Sequence, residues 1–206
     1  KKNSLIIFFI ISVILTFFIL RNITTDFLFY TILISAAFFL FFTTLKELFL
    51  KKFINVSQVI AHFGFSLFIL AILFNSILSS EIITNIKLGE KYNFNKSEIF
   101  FKRIEEKKES NFNSIIGHFR ITDEKGKVVE LKPEIRIYNQ PEIITSEADI
   151  KTTFLEDKFL VMNIVKGDEY FNIRYQIKPF MLWIWVSVLL LSLGGLISLF
   201  KKKYEK

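Results

Sequence analysis

Four stretches of this chain, residues 4–20, 27–45, 59–78 and 180–200, contain no Asp, Glu, Lys or Arg. Crossing a hydrocarbon core takes about 20 helical residues, so four transmembrane helices are expected. Composition agrees with that reading. Of the 206 residues 51% are hydrophobic and 17% aromatic, and the mean hydropathy is +0.41, too apolar for an ordinary soluble domain. The first stretch is preceded by Lys1 and Lys2, as a signal peptide would be, but it runs into Arg21 and Asn22 without a small-residue cleavage site. It is therefore read as a retained helix.

Between the third and fourth spans the character changes. Residues 79–178 hold 17 basic and 17 acidic side chains, so the net charge of +7 is confined to the flanks of the spans. Lys1, Lys2, Lys46, Glu47, Lys51 and Lys52, with the tail of Lys201, Lys202, Lys203, Glu205 and Lys206, carry all of it, and the link 21–26 is neutral. With four spans these basic flanks fall on one side, and the positive-inside rule makes that side cytoplasmic or, in a mitochondrion, the matrix. Both termini lie there and residues 79–178 are exported. The pI near 9.4 thus records topology. It gives no support for a nucleic-acid partner, because the basic residues are not gathered into a patch with aromatic stacking partners.

The exported segment reads as antiparallel β. Alternation at His118-Phe119-Arg120-Ile121-Thr122, a Gly-containing turn at 123–127 and a returning strand make a hairpin. The pattern recurs around Lys166-Gly167-Asp168, and Pro133 and Pro141 mark strand edges. The charge-dense stretch 102–113 is read as a solvated loop, with a short helix as the alternative. The expected architecture is three transmembrane helices in 1–78, an exported small antiparallel β-barrel or sandwich in 79–178, and a fourth transmembrane helix with a basic tail in 179–206.

The chain has no cysteine, which excludes disulfides, Cys-ligated zinc and thiol nucleophiles, and leaves His62 and His118 as the nitrogen donors. His62 sits inside the third span. Ionisable groups there are costly and point to function by default. At 100° per residue Gln58, His62 and Ser66 form a narrow polar stripe, and Ala61, Gly64 and Ala71 a second stripe of small residues where another helix can approach. No span offers a carboxylate or thiolate, so His62 belongs to no triad, zinc cage or acidic proton relay built from this chain. Two readings stand: one axial ligand of a haem iron, which needs a single imidazole per side, or a packing residue that hydrogen-bonds between helices. His118 is read as a surface or cross-strand residue rather than a ligand. Trp183 and Trp185 fit an interfacial aromatic belt, and Gly194-Gly195 permit close helix packing. Arg136 pairs with a haem propionate, or simply with Glu134 or Glu147.

From Gln58 onward four motifs occur in order: "VIAHFGFSLFILAI", "LKPEIRIYNQPEIITSEADI", "DKFLV" and "KPFMLWIWVSVLLLSLGG". Together they resemble the C-terminal part of the CcmF family, the haem lyase subunit of cytochrome c maturation. The first looks like that family's Ala-His-x-Gly transmembrane segment. The second resembles its Pro-Glu-x-Arg-x-Tyr block with Thr-x-Glu-Ala, at Pro133, Glu134, Arg136, Tyr138, Thr145, Glu147 and Ala148. The third carries Phe159 where the family has tyrosine, and Ser187 and Ala71 replace glycines. The first 57 residues agree only in being hydrophobic helices.

The resemblance implies that His62 is one axial ligand of a membrane haem b, and that the chain is a component of the lyase, which joins haem vinyl groups to the two thiols of an apocytochrome c Cys-x-x-Cys-His motif. The family's tryptophan-rich segment, its two exported-side histidines and the second haem b ligand have no counterpart here, so a split gene or a piece of a longer chain is expected, not catalytic alone. The implied partners are other lyase subunits or the rest of the protein, a haem-carrying chaperone, apocytochrome c and membrane lipid. The implied location is a mitochondrial or bacterial inner membrane. The alternative is a non-enzymatic membrane-anchored interaction protein without haem, in which His62 only packs.

Overall fold

The structure, a computed structural model, describes residues 2–21, 27–50, 55–165, 167 and 169–204. Lys1, the link 22–26, Lys51 and Lys52, the turn residues Lys166 and Asp168, and Glu205 and Lys206, on which parts of the charge and hairpin readings rest, lie outside the described residues. The chain divides into a helical unit, Lys1–Ile77 with Phe180–Lys206, and a β unit, Leu78–Pro179.

The helical unit contains α1 (Lys2–Leu20), α2 (Phe27–Leu50), α3 (Val56–Leu78) and α4 (Met181–Tyr204). Each holds a window long and apolar enough to cross a membrane. Several of their hydroxyls are satisfied within their own helix and so do not break the apolar runs: Ser12 Oγ donates to Phe8 O at 2.7 Å, and Thr16 Oγ1 to Ser12 O at 2.8 Å. Lipid tails are as apolar as leucine, so helices associate through close packing and hydrogen bonds rather than through the hydrophobic effect. On α2 and α3, Ile34, Ala37 and Leu70 are buried together with Leu20 of α1, and the Phe38 and Phe74 rings lie 5.9 Å apart.

Contact between α3 and α4 depends on small residues. A Cβ on Gly194 would come within 2.8 Å of Ala61 N and 2.9 Å of Ala61 Cβ, and one on Gly64 within 3.0 Å of Leu190 Cβ and of Leu191 N. Ser57 Oγ donates to Gly194 O at 2.7 Å across the same contact.

The β unit has two antiparallel sheets. One is ordered β1 (Ser80–Ile86), β10 (Phe171–Pro179), β9 (Glu156–Ile164), β8 (Asp149–Thr152). The other is ordered β2 (Lys91–Phe94), β3 (Ser97–Lys108), β4 (Phe112–Asp123), β6 (Glu134–Asn139), β7 (Glu142–Glu147), with β5 (Val128–Leu131) also on β4. Strand alternation sends one set of side chains inward. Ile99, Phe101, Phe119, Ile121, Leu131 and Ile135 of the larger sheet pack with Leu160, Met162, Ile173 and Tyr175 of the smaller one. Phe101 and Phe119 stack at 4.3 Å with planes 9° apart. Each such fully buried side chain contributes roughly 1.5–3 kcal/mol. The expected four helices, with a small antiparallel β domain between the third and fourth, are what the chain forms, and both predicted hairpins pair as β4 with β5 and β9 with β10.

The stretch 102–113 is not a loop. It is the end of β3 and the start of β4, paired from Arg103 opposite His118 to Lys108 opposite Asn113. Its charges misled because strand pairing is a backbone interaction that needs an apolar side chain only where a face is covered. Glu105, Lys107 and Lys108 stand at or beyond the edge of the core.

Candidate functional site

α3 presents its residues to three surroundings. Phe63 meets Phe41 of α2, ring centroids 5.3 Å apart. Ala61 and Gly64 meet α4, as the small-residue stripe predicts. His62, between these two contacts in sequence, is exposed, and with it Gln58, Phe65, Ile72 and Ser76. Steps of three and four residues keep these five on one face, the face that neither α2 nor α4 covers. His62 lies six residues after Val56, about 9 Å along the helix axis.

The polar stripe of Gln58, His62 and Ser66 is split by the structure. Ser66 is fully buried and donates to Phe63 O at 2.9 Å. Each step of four residues turns about 40° further round the helix, and two steps carry Ser66 from the open face into the packed one.

No described residue bonds to the His62 imidazole. Its ring nitrogens are open to a donor–acceptor contact from outside the four helices, which fits an axial haem ligand. Among the described residues no three His, Asp or Glu side chains group to hold a metal ion. A metal held at His62 would therefore need its remaining donors from elsewhere, as a haem iron with one imidazole per side would.

His118 is a buried cross-strand residue, 8% exposed. Its Nε2 lies 2.9 Å from Glu105 Oε2, an oxygen that also forms an ion pair with Arg103 Nη2 at 3.4 Å. The ring is committed to that carboxylate, and its reading as a structural residue agrees with this geometry. Arg136 makes the ordinary pair: its Nη2 donates to Glu134 Oε2 at 3.0 Å, and its Cζ stands 5.1 Å from the Phe112 ring centroid. That guanidinium holds the Glu134 carboxyl below its usual range.

Sequence reasoning did not show how these residues gather. Directly opposed residues share a face of a sheet, and the registers of β3, β4, β6 and β7 stack three rows on one face. Glu105, Ile116, Glu134 and Glu147 form one row; Lys107, Ser114, Arg136 and Thr145 the next; Phe112, Tyr138 and Ile143 the third. Glu134, Arg136, Tyr138, Thr145 and Glu147 thus form a single patch on the larger sheet. Spacing by two along each strand was the available signal, but the register joining the strands was not.

Trp183 and Trp185 stand in the first turns of α4, with Trp185 61% exposed.

Residues 77–179 match the family described as CcmF C-terminal beta-sandwich. The chain is 28% identical over 146 residues to the cytochrome c-type biogenesis protein CcmF of Pseudomonas fluorescens, covering 71% of this chain and 22% of that protein. It is 27% identical over 149 residues to CcmF of Escherichia coli K12, covering 72% and 23%, and 25% identical over 181 residues to the cytochrome c-type biogenesis protein NrfE of Haemophilus influenzae, covering 85% and 28%. It therefore spans between a fifth and a third of the length of these relatives. A solved structure of the cytochrome c haem lyase CcmF has the same fold over 95% of this chain and 34% of its own, with a TM-score of 0.69 at 18% identity. With half of its residues inside the match to that β-sandwich, the chain belongs to the CcmF family.

Proposed function

We propose that this chain is a component of the cytochrome c maturation haem lyase and that His62 supplies one axial ligand of a membrane haem b. The observation that carries this reading is the His62 imidazole, exposed on the uncovered face of α3 and bonded to no described residue. A neutral imidazole is a suitable iron ligand, and the second ligand comes from another chain or from a segment outside these residues. When bound, the haem supplies one-electron chemistry. The rest concerns what this chain's residues do. Ala61 against Gly194, and Ser57 bonded to the Gly194 carbonyl, set the rotation of α3 and so the direction of His62. Phe65 and Ile72 on the same face are apolar and keep water from the neighbourhood.

The reaction served is the joining of haem vinyl groups to the two thiols of an apocytochrome c Cys-x-x-Cys-His motif. With no residue here assigned to bond formation, the chain is not catalytic alone; its β-sandwich offers a surface on the exported side. Its partners are the other lyase subunits or the remaining part of the protein, a haem-carrying chaperone, apocytochrome c and the surrounding lipid. It is a multi-pass inner-membrane protein, bacterial or mitochondrial, with its termini on the cytoplasmic or matrix side.

Purified with its partner subunit, the chain is expected to show b-type haem absorbance that His62→Ala removes. Haem-free wild type, or a variant that keeps full absorbance, would mean that His62 is not the ligand, and the second outcome would leave a haem held by other residues. The first would favour a membrane-anchored assembly protein without haem.

A further inference from the structure

Tight turns between strands usually draw on Gly, Asn, Asp, Pro and Ser. The turn between β8 and β9 has Phe154 and Leu155 as its two central residues, 63% and 59% exposed. It is closed at its base. Thr153 N donates to Glu156 O at 2.9 Å, Thr153 Oγ1 donates to the same oxygen at 2.7 Å, and Glu156 N donates back to Thr153 Oγ1 at 3.1 Å. Two adjacent large apolar side chains are therefore held on an ordered tip, and little further ordering is lost when such a tip enters an apolar medium.

Strand register says which end of the sheet carries the tip. Glu156 is opposite Pro179, and Ile177 is opposite both Lys158 and Ser80. One end of the four-stranded sheet thus gathers the 153–156 turn, the first residue of β1 and the last of β10. Ser80 follows α3, which ends at Leu78, and Pro179 precedes α4, which begins at Met181. Both helices are long and apolar enough to cross a membrane, so the chain passes between lipid and water at this end. The other end of the same hairpin, where Ile164 is opposite Phe171, lies eight residues along β9, about 27 Å away at strand spacing. Exposed apolar side chains at a water–lipid boundary, an aromatic ring among them, are the chemistry of an interfacial anchor.

We propose that Phe154 and Leu155 insert into the lipid leaflet on the side of the β unit, with acyl chains as their occupant. The insertion is a third attachment of the sandwich to the membrane, beside its two covalent ones. It rests on the spans and the strand register and is independent of the haem reading.

The chain's lack of cysteine makes the test direct. Single variants Leu155→Cys, Phe154→Cys, Ile164→Cys and, as a reference within a span, Val188→Cys carry a nitroxide label. The full chain is reconstituted in vesicles of phosphatidylethanolamine and phosphatidylglycerol. Labels at 154 and 155 are expected to collide several-fold more with dioxygen than with a water-soluble nickel chelate, as the label at 188 does, and the label at 164 should show the reverse. Labels at 154 and 155 that behave as 164 does would overturn the proposal. Labels shielded from both reagents would overturn it too, because the tip would then be covered by protein. No haem is needed for this measurement, so either result leaves the His62 assignment where it stands.

Discussion

Among the neighbours that set how Glu134 behaves with pH, Arg136 is the largest influence. The Arg136 guanidinium, donating at 3.0 Å, holds its carboxyl below the ordinary 4.5. A carboxyl with a depressed folded value contributes stability that is present above its unfolded value and is lost as pH falls through the folded one. Asp157 has the opposite sign: burial raises its carboxyl, so ionisation there works against the fold. The two are separable by substitution. Hydrogen-exchange protection of β6 should fall on acidification below about 4.5 in the native chain, and Glu134→Gln should show less protection at neutral pH with a flatter acid limb. Equal acid limbs in both proteins would remove the pair from the account. His62 and Arg136 were both legible as candidates from type and position, since a lone imidazole in an apolar run and an Arg two residues from a Glu on a strand are local facts. The partner of His118 was not, because Glu105 reaches it only through the pairing of β3 with β4.

Gly194 and Gly195 are adjacent on α4, yet they face different surroundings. A Cβ on Gly194 meets the backbone and side chain of Ala61, while one on Gly195 meets nothing within 4 Å. Gly195→Ala should therefore be tolerated or should stabilise by up to about 1 kcal/mol through helix propensity, whereas Gly194→Ala forces α3 and α4 apart at a cost of about 1–3 kcal/mol. Thermal unfolding of the reconstituted chain, followed through the two tryptophans of α4, checks the contrast. Similar midpoints for the two variants would mean that the helices are not this close. The small-residue stripe Ala61, Gly64 and Ala71 was visible because helical period alone groups it. The loop reading of 102–113 failed for a converse reason. Charge density describes what a segment shows to water, and the outer end of a hairpin can be as charged as any loop while most of its backbone pairs with the neighbouring strand.

Charge distribution over the full chain makes a claim that no single helix can make. The neutral β unit and the basic flanks are the basis of the proposed topology, with the β unit on the exported side and the flanks on the other. Cysteine introduced at Ile143, half exposed on β7, should react with a membrane-impermeant maleimide from the exported side. Cysteine at Asn55, just before α3 and exposed, should react only after the membrane is opened. The reverse pattern would invert the topology. The same arrangement separates the proposed tasks: His62 lies toward the start of α3, and the β unit follows its far end, so electron supply and covalent attachment are assigned to opposite ends of the span.

Spans, strand alternation, hairpin turns and the isolation of His62 from any other ionisable group in its helix were all carried by residues that are neighbours along the chain. Hydropathy and period are properties of such neighbours, and so they survive in one dimension. Which way His62 points was settled by residues far apart in sequence: Ser57 bonds to Gly194, 137 positions away, and that contact buries one side of α3 and leaves another open. The patch of Glu134, Arg136, Tyr138, Thr145 and Glu147 likewise exists only once register is set, because a slip of one residue would send each side chain to the opposite face.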